Sequence, residues 1–186
     1  QKLTHRDSQS GLRNRRFLLE QLPKDIEHFQ RNSQTLQEQG KSIALLVLQP
    51  QALEPLVQQY GKGITDSLLQ QFTAVLSRET RGSDYIVRLE NWQFVVVFRD
   101  ITVAQVAPYS KRLVEQLSSV LIQPSTTVEK LALDVFGGYA FFPLPLLGGQ
   151  LLGWESSLKL ATLTAQQLMR AGQSGVGCLK FADQLD

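Results

Sequence analysis

The chain has 186 residues, 42% of them hydrophobic and 19% charged, proportions that suit one globular domain with a substantial core. A formal net charge of +2 is too small to argue for a nucleic-acid partner, and none is expected. A single cysteine, Cys178, excludes an internal disulfide and fits a reducing compartment, while no apolar run reaches the length of a membrane span.

No signal peptide is legible. The sequence begins at Gln1 and its one methionine is Met169, so residues 1–186 are expected to be a single domain cut from a longer protein. That protein is expected to be cytoplasmic, or the cytoplasmic part of a membrane-anchored one.

The first predicted element is a helix over Asn14–Gln39, because Phe17, Leu18, Leu22, Ile26 and Phe29 recur at three-to-four spacing and Gly40 supplies a stop. Ser42–Leu48 (SIALLVL) reads as a buried strand. Helices over Leu53–Tyr60 and Ile64–Arg78 are separated by Gly61-Lys62-Gly63. Asp84–Leu89 and Phe94–Phe98 are apolar runs joined by a short turn, a hairpin signal. Thr102–Leu121 is helical, with Val106, Leu113, Val114 and Leu117 on one face. Leu131–Phe142 is apolar enough for a strand, with a bulge expected at Gly137-Gly138. Pro143–Gly153 reads as a long loop, Trp154–Ala171 as a helix closed by Gly172, and Val176–Phe181 as a last strand. This order predicts an α+β domain with helices packed on one sheet, in which the hairpin strands are antiparallel.

The turn Glu90-Asn91-Trp92-Gln93-Phe94 follows Arg88-Leu89 and precedes the apolar Phe94–Phe98 run. In that setting it resembles the signature hairpin of GGDEF domains, the diguanylate cyclases, which reads R-L-G-G-D-E-F. Four other segments resemble the same family in the same order. Asp7–Arg15 (DSQSGLRNR) is similar to its opening D-x-L-T-G-L-x-N-R. Tyr60–Asp66 (YGKGITD) is similar to Y-G-H-x-x-G-D, and Arg81-Gly82-Ser83-Asp84 to R-x-x-D. Phe136–Ala140 (FGGYA) is similar to S-I-G-V-A, and Leu158–Gly172 tracks the final helix. The resemblance covers nearly the whole chain and implies a nucleotidyl-cyclase-like fold, a central, mostly antiparallel sheet flanked by helices.

Active members join two GTP molecules into cyclic di-GMP, each subunit of a dimer holding one, with two Mg²⁺ ions on carboxylates. The resemblance places Gln49 at the first-strand metal position, and Trp92 and Gln93 at the signature acids. A neutral amide does not offset the charge of a divalent ion as a carboxylate does. Glu90 and Asn91 put side chains where glycines let phosphates approach the backbone. The guanine-reading Asn falls on Val57, although its partner Asp is kept as Asp66. The phosphate-gripping Lys and Arg fall on Met169 and Gln173. The expectation is therefore a degenerate domain without cyclase activity, without a metal or cofactor, and with weak GTP binding at best.

The R-x-x-D motif forms the family's inhibitory cyclic di-GMP site, often with a second Arg from the next helix, here Arg112. Arg81 suits this through its planar fork, and Asp84 could accept from a guanine edge. The plainer reading makes Asp84 a turn cap and Arg81 a solvated charge. His5 and His28 lack metal-ligand spacing and are expected at the surface. Arg13, Arg15 and Arg16 are expected to be solvated, Cys178 to lie in the core, and Trp92 to plug the vacated site. Leu144, Leu146, Leu147, Leu151 and Leu152 crowd the Pro143–Gly153 loop and either meet a partner or fold back over that site.

Four functions stay open on the sequence. The first is an inactive interaction and dimerisation module controlling an adjacent EAL or sensor domain or a protein partner. The second is a cyclic di-GMP receptor through Arg81, Asp84 and Arg112. A residual cyclase and an RNA or adaptor binder are the others.

Overall fold

The computed structural model describes residues 4–123, 129–145 and 151–178. In chain order the first elements are β1 (Arg13–Asn14), α1 (Arg15–Arg31), α2 (Ser33–Glu38), β2 (Lys41–Pro50), α3 (Glu54–Tyr60) and α4 (Gly63–Glu79). The hairpin β3 (Tyr85–Glu90) and β4 (Gln93–Thr102) follows, then α5 (Val103–Ser118), β5 (Leu121–Ile122) and β6 (Leu131–Ala132). The chain continues through β7 (Val135–Phe142), β8 (Leu144–Pro145), β9 (Leu151–Leu152), α6 (Trp154–Ala171) and β10 (Gly175–Cys178).

Six strands form the main sheet in the order β1-β3-β4-β2-β7-β10. The three inner pairings are antiparallel and the two outer ones parallel, so the sheet is mixed. β2 lies inside it and is buried on both faces, which is why its sequence is continuously apolar rather than alternating. Its side chains still divide by the strand period of two. Ala44, Leu46 and Leu48 join a core with Leu68, Phe72 and Leu76 of α4 and Val106, Leu113 and Leu117 of α5. Ile43, Leu45 and Val47 join the other, with Leu18, Leu22, Ile26 and Phe29 of α1 and Leu160, Ala161 and Ala165 of α6. No helix among the described residues is long and apolar enough to cross a membrane.

Several sequence expectations change. The first predicted helix breaks at Asn32 into α1 and α2. The apolar run from Leu131 also breaks: β6 pairs with β5 outside the main sheet, and β7 restarts at Val135. There is no bulge at Gly137-Gly138, where the β2–β7 register runs on unshifted. The glycine serves packing instead. A Cβ on Gly138 would lie 2.2 Å from the Ala161 carbonyl oxygen of α6. Part of the expected long loop is a ladder of β8 with β9, while Leu146 and Leu147 lie outside the described residues, as do Leu179–Phe181 of the last predicted strand. Cys178 is half-buried on the outermost strand of the sheet rather than in the core. The helix ending at Gly172 is as expected, with that glycine left-handed at φ 66°.

Candidate functional site

The β2–β4 ladder ends with Leu48 opposite Phe94, which sets Gln49 and Gln93 side by side one step beyond. Gln93 pairs back across the hairpin with Glu90, so the turn itself shrinks to Asn91 and Trp92. Phe94 points into the core and is fully buried. Opposite the turn stand Glu54, Val57 and Gln58 of α3, and Gln166 and Met169 of α6 closes the third side. Together they enclose a cleft of about 760 Å³ at one end of the sheet.

Trp92 lines this cleft without filling it. Its ring centroid lies 6.2 Å from both Phe72 and Phe94, edge-on, so the indole is braced from below by the core. The side-chain amides of Gln49, Gln58, Asn91, Gln93 and Gln166 make no hydrogen bond to the described residues, whereas Gln51 accepts from the Asp134 amide at 2.9 Å. Two carboxylates reach the cleft, Glu54 and Glu90. Glu90 accepts from Arg15 Nη2 at 2.9 Å. Among the described residues no lysine, arginine or histidine lines it. Among the described residues no cluster of three histidine, cysteine or acidic side chains could hold a metal ion. Divalent hard cations need several oxygen donors with charge among them, and this donor set does not fit a pair of them.

A family model for the diguanylate cyclase GGDEF domain matches residues 4–146. The chain belongs to the GGDEF domain family. No curated protein matches it. Among solved structures the GGDEF fold is similar to the GGDEF domain of TpbB (YfiN) from Pseudomonas aeruginosa, at 16% identity and a TM-score of 0.81, covering 97% of each chain. It is similar to the GGDEF domain of DgcB from Caulobacter crescentus, solved with c-di-GMP, at 19% identity and a TM-score of 0.73, covering 98% of each chain. The diguanylate cyclase SiaD from Pseudomonas aeruginosa, solved with its activator SiaC, gives 20% identity and a TM-score of 0.79. That match covers 95% of this chain, which spans 62% of the SiaD chain.

On this GGDEF fold most of the residues singled out from sequence sort into two places. Gln49, Val57, Glu90, Asn91, Trp92, Gln93 and Met169 meet in the cleft. Asp66, in the first turn of α4, and Gln173, just past α6, are exposed and lie outside its lining. The R-x-x-D pair sits on a separate patch. Arg81 grips Asp84 with two parallel hydrogen bonds, Nε to Oδ2 and Nη2 to Oδ1, both 2.9 Å. The Asp84 carboxylate is 1% exposed, and its hydrogen bonds push the Arg81 guanidinium pKa up. Arg81 also lies over the Tyr109 ring at 5.3 Å. Arg112 shares the patch but donates to Glu79 at 2.9 Å. That bond, ahead of the one from Arg78, holds the Glu79 carboxyl below its usual value.

Of the basic cluster Arg15 and Arg16 are exposed, as expected, though paired with Glu90 and, at 3.1 Å, with Glu20, while Arg13 is half-buried 4.4 Å over the Phe17 ring. His5 is also tied, to Glu20 at 2.5 Å, while His28 is exposed. Sequence reasoning missed Arg88, which is buried on β3. Its signal was available. An arginine inside an apolar strand must find acceptors, since such residues are almost never buried unpaired.

Proposed function

We propose that this chain is a catalytically inactive GGDEF domain, a regulatory and interaction module in cyclic di-GMP signalling that acts on an adjacent EAL or sensor domain or a protein partner. The donor set of the cleft carries this reading. Amides stand at Gln49 and Gln93, where the family holds its metals on carboxylates, and of the two remaining acids Glu90 is engaged by Arg15. Without charged oxygens to hold divalent ions, the charge of a triphosphate is not offset, and losing such electrostatic stabilisation typically costs orders of magnitude in rate. The likeness to SiaD, solved with an activator protein, supports a protein partner. The test is incubation with GTP and Mg²⁺ or Mn²⁺, followed by chromatography. No cyclic di-GMP is expected, and product that scales with protein concentration overturns the reading.

A second reading, a cyclic di-GMP receptor, draws on the meeting of Arg81, Asp84, Arg112 and Tyr109 on one patch. Each charge there already has a partner, so a ligand would have to replace the Arg81–Asp84 and Arg112–Glu79 contacts. Calorimetric titration separates the two readings. Saturable binding that disappears in Arg81→Ala supports the receptor, and no binding by the parent chain supports the module.

A further inference from the structure

We propose that the cleft binds an uncharged planar heterocycle of nucleoside type, free of phosphate. The inference rests on the inactive reading and names the ligand class of the same cleft.

Unspent hydrogen-bonding capacity is the first observation. The carboxamides of Gln49, Gln58, Asn91, Gln93 and Gln166 line one concavity and make no hydrogen bond to the described residues. Each presents donors and an acceptor in a single plane. That arrangement pairs in-plane with a heterocycle edge, as Asn and Gln do with adenine. Five of them around one space form a surface that reads neutral polar edges.

The aromatic component is already in place. Trp92 stands among the amides, held edge-on against Phe72 and Phe94. A braced indole loses little conformational freedom on binding, and its face stacks on any base because every base has a π-face. Val57 and Met169 supply apolar contact on the facing walls. The volume of about 760 Å³ is ample for a nucleoside. It falls among small-molecule sites, which run to about 300–1,000 Å³.

Charge removes the phosphate. Among the described residues the ionisable side chains lining the cleft are Glu54 and Glu90, and Arg15 covers only the second. Helix α3 begins at the cleft, but Glu54 occupies its first turn and offsets the positive end of the helix. Phosphate recognition relies on arginine, lysine, metal or free helix N-termini, and the described residues of this lining offer none of them. A triphosphate would bring its charge against carboxylates, whereas a nucleoside brings none.

The test is calorimetry and saturation-transfer NMR on the chain, with adenosine, guanosine and their triphosphates in magnesium-free buffer. At least one nucleoside should bind saturably, about tenfold or more tightly than its triphosphate, and shift Trp92 fluorescence. Gln93→Leu and Gln166→Leu should each weaken the nucleoside about tenfold. Gln166→Lys should move the preference toward the triphosphate, which a purely structural role for Gln166 would not do. Circular dichroism checks folding, and Gln166→Leu with Gln166→Lys decides the matter if Gln93→Leu does not fold. Absence of saturable nucleoside binding, tighter triphosphate binding, or glutamine variants that bind like the parent would each overturn the proposal. Failure here is distinct from failure of the inactive reading: cyclic di-GMP production from GTP overturns that reading, whereas an inert chain that ignores nucleosides overturns this inference alone.

Discussion

Arg88 donates from Nη1 to Oδ2 of Asp7 at 2.9 Å, joining residues 81 positions apart in the chain. The same guanidinium donates to Gln9 Oε1 at 2.9 Å and to the Asn91 carbonyl at 2.7 Å. One side chain therefore fastens the segment ahead of α1 to the turn that walls the cleft. Its side chain is 8% exposed, so breaking the cluster strands polar groups away from water. Arg88→Ala should cost about 3–5 kcal/mol in urea denaturation. Arg88→Lys should recover only part, because an ammonium cannot reproduce the fork. A loss below about 1 kcal/mol for the alanine variant would show the cluster to be dispensable.

The same cluster predicts a pH dependence. Burial alone would raise the Asp7 carboxyl, but hydrogen bonds from Ser10 and Arg88 outweigh it and hold the group below its usual value. A depressed folded pKa gives stability that is present above the ordinary carboxylate value, near 4, and lost as pH falls through the lower folded value. Asp7→Asn should therefore be less stable than the parent at neutral pH and lose less on acidification below about pH 4. Parallel melting curves across that range check this, and identical acid limbs in the two proteins would count against it.

Charge can be returned to the cleft. Gln49 and Gln93 stand side by side at the end of the β2–β4 ladder, with Glu90 across the hairpin from Gln93. The double variant Gln49→Asp with Gln93→Glu should gain a divalent cation site that calorimetry with Mn²⁺ detects. Equal Mn²⁺ binding by the parent would show that the amide donors already suffice.

Two adjacent glycines should respond differently to alanine. A Cβ on Gly138 would meet Ala161 O at 2.2 Å and Ala165 N at 2.7 Å, both backbone atoms that cannot turn aside. On Gly137 it would meet the Val114 methyl Cγ2 at 3.0 Å, a side-chain atom that can yield. Gly138→Ala should cost about 3 kcal/mol or more and Gly137→Ala about 1 kcal/mol, read by thermal denaturation. Reversed magnitudes would mean that α6 gives way more easily than α5.

Much of the layering was legible because period and burial agree. The α1 spacing through Leu18, Leu22, Ile26 and Phe29 reflects one face on one core, and all four are buried. The run from Ser42 to Leu48 read as a buried strand because both its faces are covered. The two-residue β1 was not legible, since Arg13 and Asn14 carry no apolar pattern and are held by pairing with β3 and by the antiparallel bridge of Arg13 to Arg6. The break between β6 and β7 was hidden by Leu133, which is buried and apolar although outside both strands. At the cleft, matching to family motifs gathered seven residues that do meet. It also drew in Asp66, because order along a helix does not say which way a side chain faces, and Gln173, which lies past the end of α6.

Without a side chain at Gly138, α6 rests directly on the main chain of β7 at Ala161 and Ala165, one residue before Gln166. The height of the α6 wall is thus set by a contact outside the cleft lining. A methyl group introduced there would act as a wedge beneath the helix, tilting Gln166 and Met169 away from the hairpin. The aperture of the cleft is adjustable from a residue that never touches its contents.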